Sequence, residues 1–505
     1  MMKLTPDDLA QISLDSLEKM KKSDLINLTL RLRAQLCEAV ERLNQDSKNS
    51  SKPPSSDNPY KKEAGEDEND AGEIPEDQKE SDESEIEDQS KETPEDKSTK
   101  RKPGKQPGSE GHWRTEKPVA ERIEHHHPQQ CVLCNKKLEE KPLLYSGHYT
   151  YELEIENKCA RIICTLHYYY ESTCSCGHRN ISCPGEGYIS TVEGRKRNIK
   201  LSENSLVGPM LATFIAALNR RYGMSRKKIR DFLLSWYKFE LGIGTICKCI
   251  REAGIACYPV VDQLVEELQE QEKVNLDETP WYQKGKMLWL WVAVSAKVIV
   301  YYIGTRKKEE LLNLITDSFF GWLITDGYFA YRSHEKRQRC LAHLIRKAIA
   351  LTGVIDKNVN RIGDWFLREL RGLIKAMADG ENGPKKCRPI LARLKRACNL
   401  GANFDHPKLK ALAKEILNDW DAVVAFVKNP GLPATNNDAE RALRQSVIFR
   451  RITFGTRTDE GSRSYAAFIS VVETCRARNI DPWSYIAEAI AAGRKGNYPP
   501  SISSI

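Results

Sequence analysis

Between residues 274 and 326 the chain changes periodicity in an order that few sheets can accommodate. Val274-Asn275-Leu276-Asp277 reads as a short strand. Met287 to Ser295 and Val298 to Ile303 follow as strands rich in β-branched and aromatic residues. Lys307 to Phe319 reads as a helix, and Gly321-Trp322-Leu323-Ile324-Thr325-Asp326 as a fourth strand. Three strands on short loops pair first as an antiparallel meander, and a crossover helix then adds the fourth in parallel. The expectation is an α/β sheet with the first and fourth strands adjacent at its centre. Asp277 then ends the first strand beside Asp326 at the end of the fourth. Residues 344–429 read as helices, and 435–447 as a capped helix carrying Asn436, Asn437, Glu440, Arg441 and Arg444.

A chain of 505 residues is too long for one core. Leu25, Leu32, Leu36, Ala39 and Leu43 recur at helical spacing and predict an amphipathic helix, packed on its own chain or in a coiled coil. Turn-formers and two prolines over Asn49 to Asp57 end it. Residues 63–96 hold 17 acids and 2 lysines, with almost nothing apolar to bury, and predict disorder. The basic arm that follows, with Lys102 and Lys105, is of the kind that lies along phosphates. Residues 119–190 mix cysteines and histidines with β-rich text. From 200 to 268 the text turns helical: Ser225 caps a helix from Arg226 to Trp236, Gly242 and Gly244 break it, and another starts near Thr245. Two helices on a short glycine turn fit a helix-turn-helix.

The net charge of +8 conceals a far more basic body once the acidic stretch is set aside, and a basic body suits a polyanionic partner, nucleic acid first. The N-terminus has no apolar core for a signal peptide, and the longest apolar run, Met287 to Val294, is far short of a membrane span. The expected location is cytoplasmic, which makes the 15 cysteines thiols or metal ligands and not a disulfide framework.

Three constellations carry chemistry. Asp277, Asp326 and Glu440 come from separate elements and offer acidic oxygens to hard cations, Mg²⁺ or Mn²⁺. Two such ions activate a water or 3′-hydroxyl and stabilise the leaving oxygen in phosphodiester chemistry. Cys131-Val132-Leu133-Cys134 is a knuckle facing Cys174-Ser175-Cys176-Gly177-His178, with Cys183 beyond. One structural Zn²⁺ fits there, held by Cys131, Cys134 and two further ligands, Cys174 with Cys176 as first choice and His178 or Cys183 as alternatives. Cys159 and Cys164 are expected to pack as small apolar residues, and His125-His126-His127, just before Pro128, to be solvated. Arg441, Arg444, Arg450 and Arg451 cluster near Glu440, where guanidinium groups suit a DNA backbone.

These residues resemble the insertion-sequence-66 family of bacterial DDE transposases over most of the chain. Asn49 to Asp57 resembles its N-S-S-K-P-P-S-S-D signature, and Lys102 to Gly108 its basic K-P-G-x-Q-P-G segment. Leu276-Asp277-Glu278-Thr279-Pro280 and Thr325-Asp326-Gly327-Tyr328 resemble its two aspartate motifs. Cys340-Leu341-Ala342-His343 resembles its C-x-A-H motif, and Asn436 to Arg444 its N-N-x-x-E-R-x-x-R motif. Thr435, where the family usually has aspartate, Arg451 and Ile452, and the compressed second cysteine pair depart from the pattern. The resemblance implies a ribonuclease-H-like core with a helical insertion, and cleavage and joining at terminal inverted repeats. It implies DNA as partner, as repeats and as target, a homo-oligomer on DNA, and small accessory proteins from the same element. The organisation expected is a coiled-coil-like helix (1–46), an acidic then basic linker (47–118) and a zinc-finger domain (119–190). A helix-turn-helix-like DNA-binding region (195–268) precedes the first part of the core (269–343). The insertion (344–429), the second part of the core (430–475) and a C-terminal helix and tail (476–505) complete it. The alternatives are a non-catalytic zinc-containing DNA-binding regulator and a nuclease that cuts without joining.

Overall fold

The computed structural model describes residues 21–43, 118–138, 142–157, 159–189, 199–354 and 356–502. The acidic stretch and the arm with Lys102 and Lys105 lie outside them. An N-terminal helix, α1 (Lys22–Leu43), has Leu25, Leu32 and Leu36 exposed. A β-rich module follows: β1 (Arg122–His126), β2 (Leu143–Glu156), β3 (Cys159–Thr173) and β4 (Arg179–Ile181). Its strand order is β1-β3-β2, with β1 parallel to β3, β2 antiparallel to β3, and β4 also paired to β3. A small ribbon, β5 (Glu186–Ile189) with β6 (Ile199–Ser202), leads into helices.

Four helices come next: α2 (Pro209–Arg220), α3 (Arg226–Tyr237), α4 (Ile243–Ala256) and α5 (Tyr258–Gln269). Glu152 of β2 caps α2 by accepting from the Leu211 N–H at 2.8 Å, a carboxylate where a helix start favours negative charge. Ser225 caps α3 as its position predicts, accepting from the Lys228 N–H. The expected helix-turn-helix falls on α3 and α4. Its second helix, α4, buries Ile246, Cys249, Ile250 and Ala253 in the main core, whereas α3 is the exposed one, with Arg226, Lys227, Lys228 and Arg230 on its surface and Trp236 77% exposed. The opposite face of α4 keeps Gly244, Lys248 and Arg251 exposed.

The central sheet has five strands: β7 (Lys273–Gln283), β8 (Lys286–Val294), β9 (Ile299–Gly304), β10 (Trp322–Thr325) and β11 (Arg337–Arg339). Their order is β11-β10-β7-β8-β9; β7, β8 and β9 form an antiparallel meander, and β10 and β11 run parallel to β7. Lys284 and Gly285, with φ of +50° and +81°, make the two-residue hairpin turn between β7 and β8. The expected crossover helix is only a short 3₁₀ segment, Lys308–Asn313, followed by turns, and β11 was not expected at all. Three residues of strand carry too little periodicity to be read.

A helical body follows, α6 (Leu341–Thr352), α7 (Lys357–Met377), α8 (Gly383–Ala402), α9 (Pro407–Asn418) and two short helices, α10 (Trp420–Val423) and α11 (Ala425–Lys428). It has its own apolar core, from Leu341 through Phe366, Leu394 and Ile416 to Phe426. Then α12 (Asn437–Thr453), α13 (Asp459–Ala477) and α14 (Pro482–Arg494) return to the sheet. A single core links Leu153, the helices of 209–269, the sheet and α12 to α14, so those helices share their interior with the sheet. Among the described residues no helix is long and apolar enough to cross a membrane.

Candidate active site

Asp277 does not end its strand. It lies midway along β7, paired to Val292 of β8 on one side. On the other side the parallel pairing with β10 stops at Ile324 opposite Asn275, and two residues further on come Asp277, still in β7, and Asp326, just past the end of β10. The two carboxylates thus sit at the point where β10 leaves the sheet and β7 continues. Asp277 accepts from the Glu278 N–H at 2.9 Å, and Asp326 from the Tyr328 N–H at 2.8 Å. Gly327 follows because there is no room for a side chain: a Cβ there would fall 2.0 Å from the buried Arg339 guanidinium. Arg339 in turn pairs with Glu415 and Asp419, which ties β11 to the helical body.

Glu440 arrives on the first turn of α12, and Asn436 fixes where that turn lies. Asn436 is fully buried; its amide donates to the Leu276 carbonyl at 2.7 Å and its oxygen accepts from Asn275 at 2.9 Å. Its own N–H meets the Cys340 sulfur at 3.2 Å. The first asparagine of the motif is therefore a latch joining α12 to β7 one residue before Asp277. Glu440 itself is held by two residues on one face of α6: Arg346 at 2.9 and 3.2 Å and His343 at 3.1 Å.

The electrostatics follow from this packing. Burial, then the charges of Glu278, Asp326 and Glu440, raise the Asp277 carboxyl well above its ordinary 3.8. Burial would raise Glu440 too, but the His343 hydrogen bond and the Arg346 charge hold it down at about 2. The two acids are thus driven apart, with ionisation disfavoured at Asp277 and favoured at Glu440. Their oxygens do not all converge with those of Asp326: among the described residues, the ligand sets within 4.8 Å are Cys131-Cys134-Cys174-Cys176, Glu124-His126-His167 and Cys340-His343-Glu440. Glu278 is buried against Arg306 at 2.7 Å and the Tyr331 hydroxyl at 2.5 Å.

Of the arginines, Arg441 and Arg444 line a cleft of about 780 Å³ together with Arg221 and Lys273. Arg451 is exposed. Arg450 is half-buried and donates to the Thr279 hydroxyl and the Pro280 carbonyl, which holds α12 to β7.

The sequence profile of the transposase IS66 family matches residues 204–464, a span containing all three acids. The chain belongs to the IS66 transposase family. Residues 10–86 also match a family of unknown function. Two relatives come from Sinorhizobium fredii (strain NBRC 101917 / NGR234). The uncharacterized protein y4qI is 23% identical over 51% of this chain and 54% of its own length, and y4hP, also uncharacterized, is 34% identical over 63% and 70%. The chain thus spans about half the length of y4qI.

This IS66 chain also carries the cysteine cluster. Two tight turns present the thiols, closed by the Asn135 N–H on the Cys131 carbonyl and the Gly177 N–H on that of Cys174. Asn180, also buried, accepts from the Val132 N–H and holds one turn to the other. Cys131 and Cys176 sulfurs lie 3.7 Å apart, Cys134 and Cys174 3.5 Å. Four thiolates around one Zn²⁺ at about 2.3 Å are separated by about 3.8 Å, so the set fits that ion. His178 and Cys183 are exposed and outside it. Cys164 is buried as expected, but Cys159 is exposed.

Proposed function

We propose that this chain is a DNA transposase whose Asp277, Asp326 and Glu440 hold two Mg²⁺ or Mn²⁺ ions and cut and join DNA at terminal inverted repeats. The observation that carries the reading is the register of β7 and β10 with the Asn436 latch, which supports a common site for acids 49 and 114 residues apart in sequence. The meander followed by two parallel strands supports a ribonuclease-H-like core, interrupted by the helical body between β11 and α12. Carboxylates that disfavour one another's charge suit hard cations, which relieve the repulsion. When bound, such ions activate a water or 3′-hydroxyl and stabilise the leaving oxygen. Asp277 supplies its oxygen from a rigid strand. Glu440, held here by Arg346 and His343, would offer its carboxylate to such an ion, and Arg346 would supply a positive charge beside it. Arg441 and Arg444 hold the DNA backbone beside the site, and a Zn²⁺ on the four cysteines keeps the β-rich module folded.

The test is a Mg²⁺-dependent cleavage and strand-transfer assay on oligonucleotides bearing the ends of the element. Cleavage with strand transfer is the expected result. Cleavage alone would make the chain a nuclease, and tight binding without either would make it a regulator.

A further inference from the structure

Of the three histidines before Pro128, His125 and His127 are exposed as expected, but His126 is only partly so. His126 closes β1, and the parallel register of β1 with β3 sets Glu124 opposite His167 and His126 opposite Tyr169. On the other side of β3, His167 faces His148 of β2. Because alternate residues of a strand share a face, Glu124 and His126 fall on the same side of the sheet as their cross-strand neighbours. The His126 Nε2 and His167 Nδ1 lie 3.0 Å apart, and the Glu124 Oε2 is 3.3 Å from His167 and 3.9 Å from His126. Among the described residues, the ion-pairing partners of Glu124 are these two imidazoles and no lysine or arginine.

We propose that Glu124, His126 and His167 form a second metal site in the β-rich module, for a borderline divalent transition cation such as Zn²⁺. Metal–nitrogen and metal–oxygen bonds of about 2.0–2.2 Å in a tetrahedron place ligand atoms about 3.4 Å apart, and the three separations bracket that value. Two imidazoles and one carboxylate suit Zn²⁺, Co²⁺ or Ni²⁺ over the Mg²⁺ that an all-oxygen site prefers. The side chains are 37%, 18% and 43% exposed for His126, His167 and Glu124, so an ion has a way in and the fourth position is open to water. His148, stacked on His167 with ring centroids 5.2 Å apart, is a further imidazole beside the set. The site clamps β1, the edge strand, onto β3, and so anchors the chain where it enters the module. It is chemically distinct from the cysteine cluster, having no sulfur, and it does not depend on the transposase reading.

The experiment uses the full chain with Asp277→Asn and Asp326→Asn, so that the carboxylate site adds no ion. After equilibration with Zn²⁺ and removal of loose metal, the expected content is two zinc per chain. His126→Asn with His167→Asn should leave one. A histidine variant that keeps the parent's zinc, or a parent that holds only one, overturns the site. Co²⁺ guards against a variant that misfolds. In the unaltered histidine background, cobalt added after the cysteines are filled with Zn²⁺ should give ligand-field bands without sulfur-to-cobalt charge transfer. No such bands, or bands with charge transfer, would refute the assignment. Glu124→Gln, which keeps the shape, should weaken this second ion at least about tenfold.

Discussion

The cysteine cluster and the carboxylate site are built on different scales. The cysteines sit on two short turns, and Asn180 helps to hold one to the other. Their sulfurs stand 3.5 and 3.7 Å apart, close to the spacing that one ion requires. The carboxylates come from two strands and a helix, and Glu440 is engaged by Arg346 and His343. Neutral thiols can crowd without an ion, whereas carboxylates in a low-dielectric site repel one another until a cation arrives. One site is therefore preformed, and the other is completed by what binds it.

Breaking the carboxylate side should have the largest effect. Asp277→Asn, Asp326→Asn and Glu440→Gln are each expected to lower Mg²⁺-dependent cleavage by at least about a thousandfold, with the circular dichroism spectrum unchanged. Retained activity in all three would remove the metal-site assignment. On the other side of the comparison, Cys131→Ser or Cys174→Ser should cost at least about a hundredfold in zinc affinity. Proteolysis should then cut within residues 118–189 while the central sheet stays resistant. Equal resistance of that module in the variant and the parent would mean that the cysteines pack without an ion.

The repulsion itself can be measured through pH. Asp277 has a folded-state pKa above its ordinary 3.8, so the folded chain binds more protons than the unfolded chain between those two values. The stability this group contributes is fully present below pH 3.8 and is lost as pH rises through the folded value. Metal-free Asp277→Asn should therefore melt above the parent at neutral pH, and the gap should close on acidification. Mg²⁺ should raise the melting temperature of the parent and leave the variant unmoved. A parent that is equally stable at both pH values, relative to the variant, would contradict the like-charge cluster.

The smallest effect on chemistry is expected at Glu278. Its carboxylate is already taken up by Arg306 and Tyr331, so Glu278→Gln should cleave within about tenfold of the parent. It is nevertheless not a neutral change. Its carboxylate pairs with Arg306 and Tyr331, and weakening that pair should cost about 1–3 kcal/mol in urea unfolding. A variant that matches the parent in stability but not in cleavage would move the catalytic role from Asp277 to Glu278.

How much could be read in advance depended on how far each interaction reaches along the chain. The Ser225 cap, the cysteine turns and the start of α12 are local events, and their residue types and spacings announce them. The place of Asp277 midway along β7 was not readable, because the polar text after Leu276 resembles a strand end until β8 is seen to pair with it. Likewise α4 and α3 carry similar helical text, and only the core decides which is covered. His343 stood inside a recognised motif, but its contact with Glu440 spans 97 residues.

The amino-acid sequence alone announced most of the longer helices and strands, the first cysteine pair and the motifs that carry the three acids of this protein. Capping, periodicity and metal-ligand spacing all act within a few residues of one another. The tertiary structure decided the rest: where β10 leaves β7, the hold of Arg450 on β7, the grip of His343 and Arg346 on Glu440, and the meeting of His126 with His167. Each of these depends on strand register or helix docking between segments far apart in the chain. Such pairings are selected by burial of the whole core, and no short run of residues encodes them.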